Sequence, residues 1–136
     1  MYKAILHDHL DGGLRATTAK ELAYSMKYKP LIEIDDINLF FNRSKSSSLE
    51  DYLEAFIHTT ALMSTYDNLE RIAFEAAEDM HKDGITHYES RYAPLYSVNN
   101  NLTIENVLDA INSGFNQANN IYGINCGLIL CGMRND

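Results

Sequence analysis

The chain has 136 residues, a hydrophobic share of 46% and a formal net charge of -8. That length suits one domain with a real core but is short for a large barrel, and the acidic balance argues against nucleic acid as a partner. No apolar run reaches transmembrane length, and no basic stretch followed by a long apolar one opens the chain, so neither a membrane span nor a signal peptide is expected.

The first predicted element is a strand led by Ala4–Leu6. It runs into His7-Asp8-His9-Leu10-Asp11-Gly12-Gly13. His7, His9 and Asp11 are spaced by two, so in extended backbone they share one face. Gly12 and Gly13 end the strand and leave bare backbone beside that face. Two imidazoles and a carboxylate at a strand end suit a borderline-soft cation such as zinc. The plain alternative is a pair of polar histidines with Asp11 as a turn former.

Thr18-Ala19-Lys20-Glu21 has the capping-box pattern, and Ala19, Leu22, Ala23 and Met26 give a helix to about Tyr28, closed by Pro30. Residues 31–41 lack a clear period, and 43–48 read as a polar loop. A second capping pattern, Ser48 to Asp51, opens a helix whose apolar stripe is Leu49, Tyr52, Leu53, Phe56, Ile57 and Thr60. Asp67 with Glu70 is the expected cap of the next helix, which buries Leu69, Ile72, Ala73, Ala76, Ala77 and Met80 and ends at Gly84. His81 and Lys82 suit its C-terminal dipole.

The period then changes to two. Residues 85–92 read as a strand with His87, Glu89 and Arg91 on one face and Tyr88, Ser90 and Tyr92 on the other. Thr103 is the expected cap of a helix with Val107, Leu108, Ile111, Phe115 and Ala118 inward, ended by Gly123. Cys126 to Met133 is a near-continuous apolar run, the pattern of a strand buried on both faces. Its two cysteines, Cys126 and Cys131, form neither a disulfide framework nor a C-x-x-C site, which fits a reducing, cytoplasmic setting. The order predicts an α/β fold with three parallel strands covered by helices. Polar residues gather at the C-terminal ends of all three strands, where α/β proteins place their sites.

Three segments carry a resemblance. Leu6-His7-Asp8-His9-Leu10-Asp11-Gly12-Gly13-Leu14-Arg15 resembles the L-H-x-H-L-D-G-x-L/I-R/K opening of metal-dependent adenosine deaminases. Tyr88 to Pro94 resembles the family's Y-x-E-x-R-x-x-P strand, and Ile129 to Arg134 its I-L-C-x-M-R strand. They occur in the family's order and at about its spacing. The resemblance implies the N-terminal part of a TIM (β/α)8 barrel of the amidohydrolase superfamily, with residues 1–136 one truncated segment of it. It implies a zinc cofactor, with His7 and His9 as the first two metal ligands. It also implies a purine nucleoside partner, with His9, Asp11, Leu49, Tyr52, Phe56 and Met133 toward the substrate. The implied reaction is hydrolytic deamination of adenosine or deoxyadenosine: water adds at C6, a glutamate protonates the ring, and ammonia leaves. No phosphate cradle is seen, which favours a nucleoside over a nucleotide.

In the family the third histidine ligand, the H-A-G-E glutamate and the D-D pair lie beyond the third of these strands, and none of them follows it in these 136 residues, while a full barrel takes about 250 residues. The catalytic acid is therefore expected beyond residue 136. Of the other histidines, His87 is the nearest to a substitute ligand but lies toward the wrong end of its strand, while His58 and His81 sit on helices. Glu89 is expected to pair with Arg91 or a neighbouring strand. The chain by itself is expected to bind zinc weakly, turn over negligibly, and associate with itself or with a complementary C-terminal chain. A related adenine, modified-nucleoside or AMP deaminase is the alternative substrate reading. A non-catalytic interaction module is the alternative of another class.

Overall fold

A computed structural model of the chain describes residues 1–41 and 48–134, with backbone alone for 50–52. Strand β1 (Ala4–His9) is followed by α1 (Ala16–Met26), the short helices α2 (Lys29–Ile32) and α3 (Ile37–Phe41), then α4 (Leu49–Leu62) and α5 (Tyr66–Lys82). Strand β2 (His87–Tyr92), α6 (Ile104–Tyr122) and β3 (Asn125–Leu130) complete the order. The sheet runs β1-β2-β3 with both pairings parallel, as the alternation of strands and helices requires.

The period-two reading of β2 is seen directly. Tyr88, Ser90 and Tyr92 are buried, while His87, Glu89 and Arg91 are partly exposed on the opposite face. The buried face meets the helices, with the Tyr88 and Phe115 rings edge to face at 5.9 Å. Burial of Tyr88 leaves its hydroxyl in need of a partner, and it donates to Asp8 at 2.7 Å. Glu89, expected to pair with Arg91 or a neighbouring strand, has its carboxylate 3.1 Å from His87 Nε2 on its own strand. Arg91 instead donates to the Leu6 carbonyl at 3.3 Å and so ties β2 to β1.

Helix α5 buries Leu69, Ile72, Ala73, Ala76 and Ala77, with Met80 packed at the edge of the core. Its alanines admit α6, which contributes Val107, Ala110, Ile111, Gly114, Phe115 and Ala118. Thr103 caps α6 by accepting from the Asn106 amide, and Gly123, at φ 73°, closes it in the left-handed conformation.

Several local expectations are corrected. Thr18 does not cap α1, which begins at Ala16; its buried hydroxyl donates to Glu75 at 2.5 Å. Pro30 stands in the first turn of α2, where a missing N–H costs nothing. Thr65, not Asp67, caps α5 through the Asn68 amide. Strand β2 begins at His87, two residues after the expected start. Strand β3 is only half buried, because it is an edge of the sheet and lacks a neighbour on one side among the described residues. The polar loop expected at 43–48 falls almost wholly outside the described residues.

Candidate active site

The sheet places its C-terminal ends at one rim. His9 of β1 is opposite Arg91 of β2, and Tyr92 is opposite Leu130 of β3. The Cys131 amide donates to the Tyr92 carbonyl at 2.9 Å, which carries the pairing one step further and brings Met133 to the same edge.

His7 and His9 project from β1 with ring centroids 5.4 Å apart. The strand shifts register between Ile5 and Asp8, and the chain leaves extended geometry at Leu10–Gly12, a single 3-10 turn. Asp11 therefore belongs to the turn and not to the strand face that the spacing predicts. The turn still delivers Asp11 to the mouth beside His9. Burial raises the Asp11 carboxyl above its ordinary value, opposed by its own backbone N–H and by His9, and supported by Asp8.

A cavity of about 580 Å³ opens at this rim, within the size range of small-molecule sites. His9, Asp11, Phe56 and Met133 line it, so four of the expected substrate-side residues come together. His7 is outside that lining and sits beside His9. Leu49 is 67% exposed at the start of α4 and is also outside the lining. Tyr52 lies on α4, but its side chain is outside the described residues.

The lining also takes Leu53, Ile57 and Thr60 from α4, Tyr92, Ala93 and Tyr96 from the end of β2 and its turn, and Cys131 from beyond β3. Leu53 and Ile57 were legible as part of the α4 stripe. What the stripe alone hid is its direction: α4 buries Ala55, Thr59 and Leu62, while the apolar Leu53 and Ile57 remain exposed. Exposed apolar residues along a cavity form a surface that a ligand or another protein segment can cover. Tyr92 is part of the cavity lining, and its hydroxyl and that of Ser97 share a hydrogen bond of 2.6 Å. Burial pushes the Tyr92 phenol up to about 12, so it stays neutral.

As metal donors, His7 and His9 suit zinc in kind and in closeness. A catalytic zinc keeps three protein ligands, and no group of three or more His, Cys, Asp or Glu able to hold a metal occurs among the described residues. His87 is engaged with Glu89, His58 Nδ1 hydrogen-bonds the Tyr28 hydroxyl at 2.8 Å, and His81 stacks on Tyr122 at 4.6 Å. No helix among the described residues is long and apolar enough to cross a membrane.

The adenosine deaminase family model matches residues 2–136. Adenosine deaminase 1 of Streptomyces coelicolor is 44% identical over 140 residues, covering 97% of this chain and 35% of that protein. The adenosine deaminase of Mycobacterium avium is 41% identical over 116 residues, covering 83% of this chain and 32% of that one. The chain thus spans about a third of the length of the curated relatives it matches. Among solved structures, an amidohydrolase of Burkholderia ambifaria with bound zinc superposes with a TM-score of 0.78 at 28% identity, covering 96% of this chain and 35% of that one. Three parallel strands with their helices correspond to the N-terminal part of that deaminase and amidohydrolase fold, and the chain belongs to the adenosine deaminase family.

Proposed function

We propose that this chain supplies the first metal donors and one substrate wall of a zinc-dependent aminohydrolase converting adenosine or deoxyadenosine to inosine or deoxyinosine. The observation that carries the reading is the meeting of His9 and Asp11 with the apolar residues Phe56, Tyr92 and Met133 at one mouth. A purine is flat and largely apolar and suits the α4 wall. A ribose is hydroxyl-rich and suits a carboxylate such as Asp11.

His7 and His9 would hold the zinc, whose contribution when bound is to make water nucleophilic at neutral pH. His9 and Asp11 orient the nucleoside, and Phe56, Leu53 and Ile57 exclude bulk water from its base. Among the described residues two donors stand where a catalytic zinc takes three, which supports weak zinc binding and negligible turnover by this chain alone. The edges of β1 and β3, which have no further strand beside them among the described residues, support association with a second copy or a complementary chain.

The test follows adenosine absorbance and metal content on one sample of the purified chain, with adenosine-induced NMR shifts recorded alongside. Shifts at Asp11, Phe56 and Tyr92, with substoichiometric zinc and no inosine, are the expected result. Absence of any shift at the mouth would overturn the nucleoside reading. Stoichiometric zinc with inosine production would overturn the incompleteness of the centre.

A further inference from the structure

The turn that carries Asp11 is held from behind by α5. Leu10 is fully buried in the core. The Gly13 amide donates to the Leu10 carbonyl at 3.0 Å, and a β-carbon at Gly13 would lie 3.6 Å from Ala76 Cβ. Two residues later, Arg15 turns its side chain away from its own helix, which has no side-chain cap, and onto α5.

The Arg15 contacts are dense. Its Nε donates to both carboxylate oxygens of Asp79 at 3.1 Å, and its Nη2 donates to Glu78 at 2.6 Å and to Asp79 at 2.8 Å. Its Nη1 stands 3.4 Å from Glu75. Glu75, Glu78 and Asp79 share one helical face, where like charges repel. A planar guanidinium can face all three at once, and a lysine ammonium cannot reproduce that fork. The chain between Asp11 and Arg15 has only three intervening residues, two of them glycines, so the place where Arg15 is gripped constrains where the turn can lie.

We propose that Arg15 is a positioning residue for the mouth: by gripping the α5 carboxylates it sets the Leu10–Gly12 turn, and with it the Asp11 carboxylate beside His9. The proposal rests on the reading of that mouth as a nucleoside site. Arg15 touches no substrate; it acts through the turn.

The experiment compares the full 136-residue chain with Arg15→Lys, Arg15→Gln and Arg71→Gln by backbone NMR and by adenosine titration. Arg71 bridges the same two helices, pairing with Glu21 on α1 at 2.5 Å and with Glu75 at 3.2 Å; it meets the Arg15 cluster at Glu75, and its removal leaves the Glu78 and Asp79 hydrogen bonds of Arg15 in place. Both Arg15 variants are expected to move the Asp11, Gly12 and Gly13 amide resonances and to weaken adenosine binding about tenfold. Arg71→Gln is expected to lower the melting temperature, as the Arg15 variants also do, and to leave both readouts unchanged. Arg15→Lys keeps the charge and carries the test should Arg15→Gln fail to fold. Turn resonances unmoved in Arg15→Lys, or moved equally in Arg71→Gln, would overturn the proposal. Failure of the unmodified chain to respond to adenosine would remove the nucleoside reading, and the turn resonances would still decide whether Arg15 anchors the turn.

Discussion

Gly114 of α6 lies directly against Ala73 of α5. A β-carbon at 114 would stand 2.9 Å from Ala73 Cβ and 2.8 Å from the Phe74 amide nitrogen, and would overlap the Glu70 carbonyl oxygen. This contact lets the two longest helices close over the sheet. Replacing a mid-helix glycine with alanine ordinarily gains up to about 1 kcal/mol in propensity. Here two backbones would have to separate, so Gly114→Ala is expected to destabilise by about 2–3 kcal/mol net. Urea unfolding checks it, with Gly132→Ala as control, since a β-carbon there meets nothing within 4 Å.

Glu78 makes the fold sensitive to acid. The Tyr122 hydroxyl, then the Arg15 guanidinium, hold its carboxyl down at about 2, from an ordinary 4.5. A depressed carboxylate contributes stability that is complete above about 4.5 and is lost as pH falls from there through about 2. Glu78→Gln is therefore expected to cost about 1 kcal/mol at pH 7, allowing for solvent screening of a surface ion pair, and to flatten the loss of stability between pH 4.5 and 2. Equal acid sensitivity in the variant and the unmodified chain would contradict this account.

Two threonine caps start the two long helices. Thr65 and Thr103 each accept from the amide three residues on, at 3.2 Å. Alanine at either position is expected to cost about 1 kcal/mol, and the two losses should add because the sites share no partner. Thermal melts of the single and double variants measure both points.

Tyr88 joins the strands through polar chemistry inside the core. Its buried hydroxyl donates to Asp8 at 2.7 Å and lies 3.2 Å from the Ser90 hydroxyl. Burial first, opposed by the Ser90 hydroxyl and supported by the Asp8 carboxylate, raises the phenol well above its ordinary value. Tyr88→Phe should leave Asp8 without that donor and cost about 1–2 kcal/mol, read from the shift in the urea midpoint at constant slope.

The proposed site separates by variant. His7→Ala is expected to weaken zinc alone, Asp11→Asn to weaken adenosine alone, and His9→Ala to weaken both, each by about tenfold. Competition with a chelating dye reads the metal, and NMR titration reads the nucleoside. Loss of zinc binding in Asp11→Asn would place that carboxylate in the wrong role.

The sequence by itself determined the kind of elements and their order. Burial on one face imposes a period of two on β2 and close to 3.6 on α5 and α6, and both periods can be read from Tyr88, Ser90 and Tyr92 and from Leu69, Ile72, Ala73 and Ala76 without coordinates. The H-x-H-x-D spacing and the two later strand motifs likewise pointed to the family and to the C-terminal rim. Tertiary structure decided where each polar group finds its partner. Thr18 met Glu75 instead of its own helix, Thr65 displaced Asp67 as a cap, and Asp11 left the strand for a 3-10 turn. It also decided which way α4 faces. An apolar stripe specifies a buried or ligand-facing side equally well, and only the packing of Ala55, Thr59 and Leu62 inward turned Leu53, Phe56 and Ile57 toward the mouth. Local chemistry sets periodicity, because neighbours along the chain suffice for it. Side-chain partners and the facing of a stripe depend on residues far away in sequence, and those meet only when the chain is folded.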